Sequence, residues 1–186
     1  MSITQLYRLE WDSGQLNQWH LGRPRTIGDV PLVNGGVVRD DLLATAPGVV
    51  VPIYQEGDRL DISFATGDIP VAVPRVANLV AERAGDDVRV IPAQVEGAPG
   101  QFFALWVKNS IDCIDPERTI GTFWPDSSER AGQYRMIVDL KLRPDAAGDH
   151  QIFRVKGWEV AIIVTERLKA EVEGGGATGV LFLPAS

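Results

Sequence analysis

The sequence of 186 residues has few of the side chains on which most catalytic and metal sites depend. It contains two histidines, His20 and His150, and one cysteine, Cys113. Metal centres, nucleophilic catalysis and acid–base catalysis each need several such groups converging on one point. The glycine-rich run at residues 174–176 follows a predicted helix and precedes a strand, the reverse of the order in phosphate-binding loops. This shortage predicts a protein that is not an enzyme and that binds no cofactor or metal.

Long apolar runs are also missing. No window reaches the roughly 20 apolar residues that a membrane-spanning helix needs, and the first ten residues lack the apolar run of a signal peptide. A single cysteine cannot form an intrachain disulfide, which fits a reducing compartment. We therefore expect a cytoplasmic protein in which Cys113 is a buried and inert thiol.

Negative charge is in excess, with a formal net charge of −7 and a pI of about 4.8. Such a surface repels nucleic acid and anionic membranes and attracts basic proteins. Residues 40–70 hold six acidic residues against one arginine, and this segment is either a solvated face that aids solubility or a docking surface for a cationic partner. The candidate partner-binding acids are Asp40, Asp41, Glu56, Asp58, Asp61 and Asp68.

The pattern of turns and apolar residues predicts an α+β fold. Short strands separated by turns fill the first third, and Pro74 begins a helix over residues 74–84 that Gly85 ends. Longer strands and a helix capped by Thr165 follow. The composition shift near Gly85 predicts a small, turn-rich N-terminal β module, residues 1–84, packed on a larger mixed or antiparallel sheet with few helices, residues 85–186. A single domain is the alternative.

Three local patterns in the second half lead to specific expectations. Pro92 interrupts a strand and marks an edge position or a strand end. The continuous apolar run at residues 160–164 predicts a strand covered on both faces. Residues 152–155 are expected to pair back on the strand at residues 134–142. Apolar residues occupy alternate positions along that strand, so one side of the pleat carries Met136, Val138, Leu140 and Leu142.

A group of carboxylates at residues 112–117 is the main candidate for chemistry. Asp112, Asp115 and Glu117 could together hold a hard cation or act as an acid and base pair. The segment lacks the further oxygen ligands and the glycine of a calcium loop. Alternatively, Asp115 before Pro116 initiates a turn and caps the next segment.

Phe123 and Trp124 are the main candidates for binding by aromatic side chains. They stand together in a segment that is expected to be a loop. If both rings are exposed, this pair would be an anchor for a protein partner or would line a carbohydrate or peptide groove. Aromatic side chains also fill ordinary cores, which is the other interpretation.

Several segments match, in order, the motifs of one known family. A strand at residues 107–115 ends in a D-C-x-D turn with Asp112 and Asp115, and residues 152–154 form an I-F-R element with Phe153 and Arg154. Residues 164–169 and 178–182 are similar to the closing strand, helix and strand, and Tyr7-Arg8-Leu9 is similar to the opening. Together, these segments resemble the eleventh catalogued immunity-protein family of bacterial polymorphic toxin systems, over residues 85–183.

This resemblance implies a non-enzymatic cytoplasmic protein that binds and neutralises a cognate toxin. The toxins of such effector–immunity pairs serve bacterial competition and are delivered by contact or by secretion, including type VI secretion. A basic toxin would suit the acidic chain, whose immunity function would then consist of occluding the toxin's active surface. The family's closing helix is usually longer, and the glycines at residues 174–176 depart from its pattern. The rival hypotheses remain an enzyme that uses the carboxylates at residues 112–117 and a carbohydrate- or peptide-binding module.

Overall fold

The computed structural model describes residues 5–143 and 145–185. The first half contains β1 (Leu6–Trp11), β2 (His20–Leu21), β3 (Arg25–Thr26), β4 (Val33–Asn34), β5 (Val37–Val38), α1 (Asp40–Leu43), β6 (Val49–Val51), β7 (Ile53–Gln55), β8 (Ile62–Ala65), β9 (Ile69–Ala72) and α2 (Pro74–Ala84). After a 3₁₀ turn (Gly85–Asp87), the second half contains β10 (Val88–Val95), β11 (Phe102–Val107), β12 (Ser110–Ile111), β13 (Ile120–Phe123), β14 (Tyr134–Asp139), β15 (Ile152–Val155), β16 (Trp158–Thr165), α3 (Glu166–Gly174) and β17 (Val180–Pro184). None of the helices in these two ranges has the length and apolar character needed to cross a membrane.

A five-stranded sheet has the order β12-β15-β16-β1-β17. The N-terminal strand β1 lies between two C-terminal strands and is antiparallel to both β16 and β17. Its backbone is closed at one end by the amide of Ala185, which donates to the carbonyl oxygen of Leu6 at 3.0 Å. The first strand is therefore an internal part of the sheet that the last strands of the chain build.

A six-stranded mixed sheet has the order β3-β6-β10-β11-β9-β8. Strands β6 and β10 run parallel, and the other neighbouring pairs are antiparallel. The fold is thus mostly strand with few helices, which confirms the predicted α+β class. Both sheets take strands from each side of residue 85, and the division into modules 1–84 and 85–186 stays a prediction.

The two faces of β16 enter two different hydrophobic cores. Ile162 packs with β11 and the helices α2 and α3, whereas its neighbour Ile163 packs with Phe153 on the opposite side of the sheet. Because successive side chains of a strand point in opposite directions, a strand buried on both faces must be apolar throughout. The prediction of a doubly covered strand is confirmed over residues 161–164, while Val160 is exposed.

The two longer helices begin and end where the sequence predicts. Pro74 occupies the first turn of α2, and Gly85, with a φ of 52°, follows its last residue. At α3, the hydroxyl oxygen of Thr165 accepts a hydrogen bond from the amide of Leu168 at 3.4 Å, which is the predicted N-cap. Both helices pack their apolar stripe on the core that the two sheets share.

Three strand predictions were wrong in part. Pro92 does not end the strand but lies inside β10, where it is opposite Phe103 of β11; the parallel pairing with β6 begins only at Ala93, so the other side of β10 is locally an edge at Pro92. Strand β15 pairs with β12 and β16 instead of with residues 134–142. The predicted strand over residues 134–142 ends at Asp139, so the four side chains expected on one side separate: Met136 and Val138 are exposed on β14, whereas Leu140 and Leu142 lie beyond it and are buried.

We expect Phe153→Ala to destabilise the protein strongly. The Phe153 ring is fully buried, and removing such a ring costs about 3–5 kcal/mol of unfolding free energy. Phe123→Ala is the matched control, since that ring is exposed and its removal should change stability by only about 0.5 kcal/mol. Denaturant unfolding with an unchanged m-value measures both. Equal losses in the two variants would show that the core is not built around Phe153.

Candidate partner-binding surface

Strands β13 and β14 form a two-stranded antiparallel ribbon that pairs with no further strand among the described residues. Four large apolar side chains of this ribbon are exposed: Val138 by 73%, Ile120 by 62%, Phe123 by 54% and Met136 by 52%. We call these four residues the ribbon patch. Met136 and Val138 flank the buried Ile137, so they lie on the ribbon face that points away from the core. Several exposed apolar side chains on one element are typical of an interaction site.

The ribbon is fixed to the rest of the protein at the end where its connecting loop lies. At the start of β14, the amide of Tyr134 donates to the carbonyl oxygen of Gly157 at 3.0 Å. In the connecting loop, Arg130 donates to the carbonyl oxygen of Gly35, in the turn between β4 and β5, at 2.9 Å. The Phe123 ring stacks on Tyr134 with 4.2 Å between the ring centroids. The ribbon patch therefore has defined support, which limits the entropy lost on binding.

The two aromatic residues that the sequence singles out have different surroundings. Phe123 is exposed and belongs to the ribbon patch. Trp124 is half-buried, and the guanidinium groups of Arg130 and Arg135 lie 5.5 Å and 5.6 Å from its ring. Cations over an indole face are attracted by the negative electrostatic potential of that face. Trp124 thus holds two arginines next to the ribbon patch.

The acidic residues of the segment 40–70 do not form one continuous patch. Asp41 pairs with Arg39 at 2.7 Å. The Asp61 carboxylate pairs with Arg75 at 2.7 Å and accepts hydrogen bonds from the amide and hydroxyl of Thr178. Burial acts to raise the pKa of Asp61, but these hydrogen bonds and the Arg75 charge outweigh it and lower the pKa. Both carboxylates are therefore engaged within the chain.

Of the other four acids, Asp40 and Asp68 both lie near Arg154, and Glu56 and Asp58 share one exposed segment. Asp40 accepts a hydrogen bond from the Trp106 indole at 2.7 Å. The exposed Asp58 accepts one from the Asn17 amide at 3.3 Å, and Glu56 is exposed on the same segment. Asp68 lies in the β8–β9 turn with a positive φ of 52°. Whether these acids contact a partner stays a prediction.

A pocket of about 240 Å³ opens beside Asp68, and no sequence pattern predicts it because its walls come from distant segments. The indole of Trp19 donates to the Ser63 hydroxyl at 2.6 Å and is buried. Trp11 stands edge-on to His20, with 5.9 Å between the ring centroids, and is partly exposed. We call this cavity the Trp11 pocket; its lining includes Trp11, Trp19, His20, Ser63, Phe64 and Asp68.

The family-motif aspartates have structural roles. Asp112 pairs with Arg143 at 3.2 Å, and the same guanidinium group donates to the Asp112 carbonyl oxygen. Asp115 accepts hydrogen bonds from the amides of Glu117 at 3.1 Å and Arg118 at 3.3 Å. This confirms the interpretation of Asp115 as a turn-initiating cap. Residues 5–143 and 145–185 contain no group of three histidine, cysteine or acidic side chains placed to hold a metal ion.

The I-F-R element supplies one core residue and one buried charge. Phe153 is fully buried, and Arg154 is 6% exposed. The Arg154 guanidinium donates to the carbonyl oxygens of Glu159 at 2.6 Å and Asp68 at 2.9 Å. Burial lowers the pKa of Arg154, and the nearby carboxylates of Asp68, Asp40 and Glu159 oppose this shift. The motif thus connects the second half of the chain to the β8–β9 turn.

A polar cluster near the start of β10 was not anticipated from the sequence. The Nδ1 atom of His150 lies 2.6 Å from a carboxylate oxygen of Asp87. The side-chain amide of Asn109 donates to the same oxygen at 2.8 Å. The amide of Gln151 donates to the second carboxylate oxygen at 2.7 Å. Asp87 is buried and these contacts satisfy it, so the cluster holds three segments together.

We expect Cys113 to resist alkylation in the native protein. Burial raises the pKa of its thiol to about 12, with Arg143 opposing the rise and Asp112 adding to it. At pH 8 an ordinary thiol, with a pKa of about 8.5, is partly ionised and reacts, whereas this one stays protonated. Iodoacetamide labelling followed by mass measurement should show modification only after unfolding.

The raised pKa of Cys113 also makes the stability of the fold depend on pH. Because the folded-state pKa is raised above the unfolded value of about 8.5, the protonated thiol stabilises the fold at lower pH. That contribution is lost as the pH rises from about 8.5 towards the folded value of about 12. Native-state labelling at the rate of a free thiol would contradict the burial of Cys113.

Comparison with known proteins identifies the family. The sequence pattern of the Immunity protein family (Imm11) matches residues 86–186, which is more than half of the chain. No curated protein matches the chain. The matched region runs from the start of β10 to the end of the chain and includes the ribbon patch and Arg154. The resemblance seen in the motifs is thereby confirmed, and the chain belongs to the immunity protein family Imm11.

Proposed function

We propose that this protein neutralises a cognate bacterial toxin by binding it and covering its functional surface, with the ribbon patch at the centre of the interface. Membership of an immunity protein family supports the general role. The specific observation that carries the proposal is the exposure of four large apolar side chains on one supported ribbon. The ribbon also lies in the part of the chain that matches the family.

The energetics of protection favour an apolar centre for this interface. An immunity protein must hold its toxin at nanomolar affinity or tighter, which corresponds to about −12 kcal/mol. An exposed ion pair contributes only about 0–1 kcal/mol, so charge alone falls short. Desolvated aromatic and apolar anchors supply most of the free energy in tight interfaces. Phe123 and its neighbours in the ribbon patch are such side chains.

The excess negative charge supports a basic toxin. A chain with a net charge of −7 attracts a cationic partner over distance and raises the association rate. It disfavours nucleic acid and anionic membranes as partners of this chain. Toxins delivered between bacteria act inside the recipient, so we place the encounter in the cytoplasm. In this proposal, charge accelerates the encounter and the ribbon patch determines how long the complex lasts.

The two rival functions have less support from the geometry. An enzyme built on residues 112–117 would need free carboxylates, but Asp112 pairs with Arg143 and Asp115 caps a turn. A carbohydrate site built on Phe123 and Trp124 would need both ring faces open to the sugar. The Trp124 ring lies against two guanidinium groups instead.

We expect Val138→Asp to weaken toxin binding by at least about 100-fold, because it places a charge at the centre of an apolar contact. Leu16→Asp is the matched control: Leu16 is 98% exposed and lies outside the ribbon, so binding should stay unchanged. The toxin to use is the product of the adjacent gene. Calorimetry gives Kd, and co-expression gives protection from toxicity.

The two measurements separate the two parts of the proposal. Wild-type protein that neither binds nor protects against this toxin would refute the immunity function for the pair. If the wild type and Val138→Asp bind equally well, the toxin is bound elsewhere and the ribbon patch is not the interface. A thermal melt of each variant checks that the fold is intact, as expected for substitutions of exposed side chains.

A further inference from the structure

The Trp11 pocket has the size and walls of a receptor for one side chain. Its volume of about 240 Å³ is below the range of about 300–1,000 Å³ that small-molecule sites occupy. Trp11, Trp19 and Phe64 supply aromatic walls, and Asp68 supplies a carboxylate. Aromatic faces next to a carboxylate are the surroundings that a planar cation prefers.

The Asp68 side chain is the acidic group of the Trp11 pocket. No hydrogen bond to the Asp68 carboxylate is present within residues 5–143 and 145–185; only its backbone carbonyl is engaged. Burial raises the pKa of Asp68, and the guanidinium groups of Arg154 and Arg8 oppose this rise. Glu10 adds a second carboxylate there, so the charges that interact with Asp68 balance while its carboxylate oxygens keep open sites for hydrogen bonds.

The β8–β9 turn beside the Trp11 pocket and the loop of the ribbon both contact the β4–β5 hairpin. The β8–β9 turn that carries Asp68 approaches this hairpin so closely that a Cβ on Gly67 would lie 2.8 Å from a Val33 methyl group. The turn of that same hairpin, at Gly35, accepts the hydrogen bond from Arg130 of the ribbon loop. A partner that spans this hairpin would contact both the ribbon loop and the Asp68 turn.

We infer that the Trp11 pocket receives an arginine side chain of the toxin, stacked on Trp11 and paired with the Asp68 carboxylate. This inference rests on the proposed function and names the chemical group that the partner contributes. Arginine suits the site better than lysine because its planar guanidinium both stacks on an indole and forms two parallel hydrogen bonds to a carboxylate. The Asp68 carboxylate then gains hydrogen-bond donors, which it lacks among residues 5–143 and 145–185.

The first experiment tests the pocket without the toxin. N-acetyl-arginine amide is titrated into the protein at low salt, and the indole N–H resonance of Trp11 is followed by NMR. The resonance should shift with an apparent Kd in the millimolar range, as suits one side chain. N-acetyl-citrulline amide, which has the same shape without the charge, should leave it unchanged, as should the arginine ligand added to Asp68→Asn. Equal shifts with both ligands, or no shift with either, would overturn the inference.

The second experiment uses the intact toxin complex. Asp68→Asn should weaken toxin binding by about 10- to 100-fold and reduce its salt dependence, because a desolvated charge pair is lost. Asparagine tolerates the positive φ at this position, so the turn should keep its shape. Asp86→Asn is the matched control: it removes the same charge from an exposed residue outside the pocket and should have no effect.

A second variant guards against a folding defect in Asp68→Asn. Trp11→Ala removes the stacking wall at a partly exposed residue and should weaken toxin binding to a similar extent. Undiminished binding by both variants overturns the pocket assignment and leaves the ribbon interface standing. A wild-type protein that binds the arginine ligand but not the toxin refutes the proposed function, and with it the toxin as the source of the arginine.

Discussion

The buried guanidinium of Arg154 is the contact on which the arrangement of this protein depends. It extends from β15 in the five-stranded sheet to the carbonyl oxygen of Asp68, in a turn of the six-stranded sheet. A buried charge is costly unless hydrogen bonds and opposite charges surround it, and here two carbonyl oxygens and three carboxylates do so. The residue therefore constrains both the sheet packing and the position of the Asp68 turn.

The same set of contacts helps to hold the ribbon in place above the core that Ile137 enters. The turn at Gly157 supports the start of the ribbon, and Glu159, two residues later, accepts from Arg154. The ribbon, the arginine and the Asp68 turn are thus successive parts of one connected structure. Arg130 adds a further connection, because it donates a hydrogen bond to the carbonyl oxygen of Gly35 in the β4–β5 turn. Preorganisation of this kind lowers the entropy cost of association.

The region that matches the family is not structurally self-contained. Strand β1, which lies outside the match, occupies a central position between β16 and β17. Without it, β17 would have no neighbour in that sheet. Strands β6, β8 and β9 likewise complete the six-stranded sheet around β10 and β11. The family signature therefore describes the more recognisable half of an intertwined pair of sheets.

The sequence by itself determined the local elements and the general role. Pro74 and Gly85 define α2, Thr165 caps α3, and the β-branched run at residues 161–164 marks a doubly buried strand, because each of these signals acts within a few residues. The ordered motifs determined the family. The excess of acidic residues determined the negative net charge of the chain.

Only the tertiary structure decided which of these residues are available to a partner. Asp61 and Asp41 form ion pairs with Arg75 and Arg39, whereas Asp68 lines a pocket whose walls come from three separate segments. The alternation in β14 indicated a strand but not which of its side chains are buried, since burial depends on what lies above the strand and not on its period. Pairing between distant segments depends on the packing of the whole chain, and no local pattern contains that information.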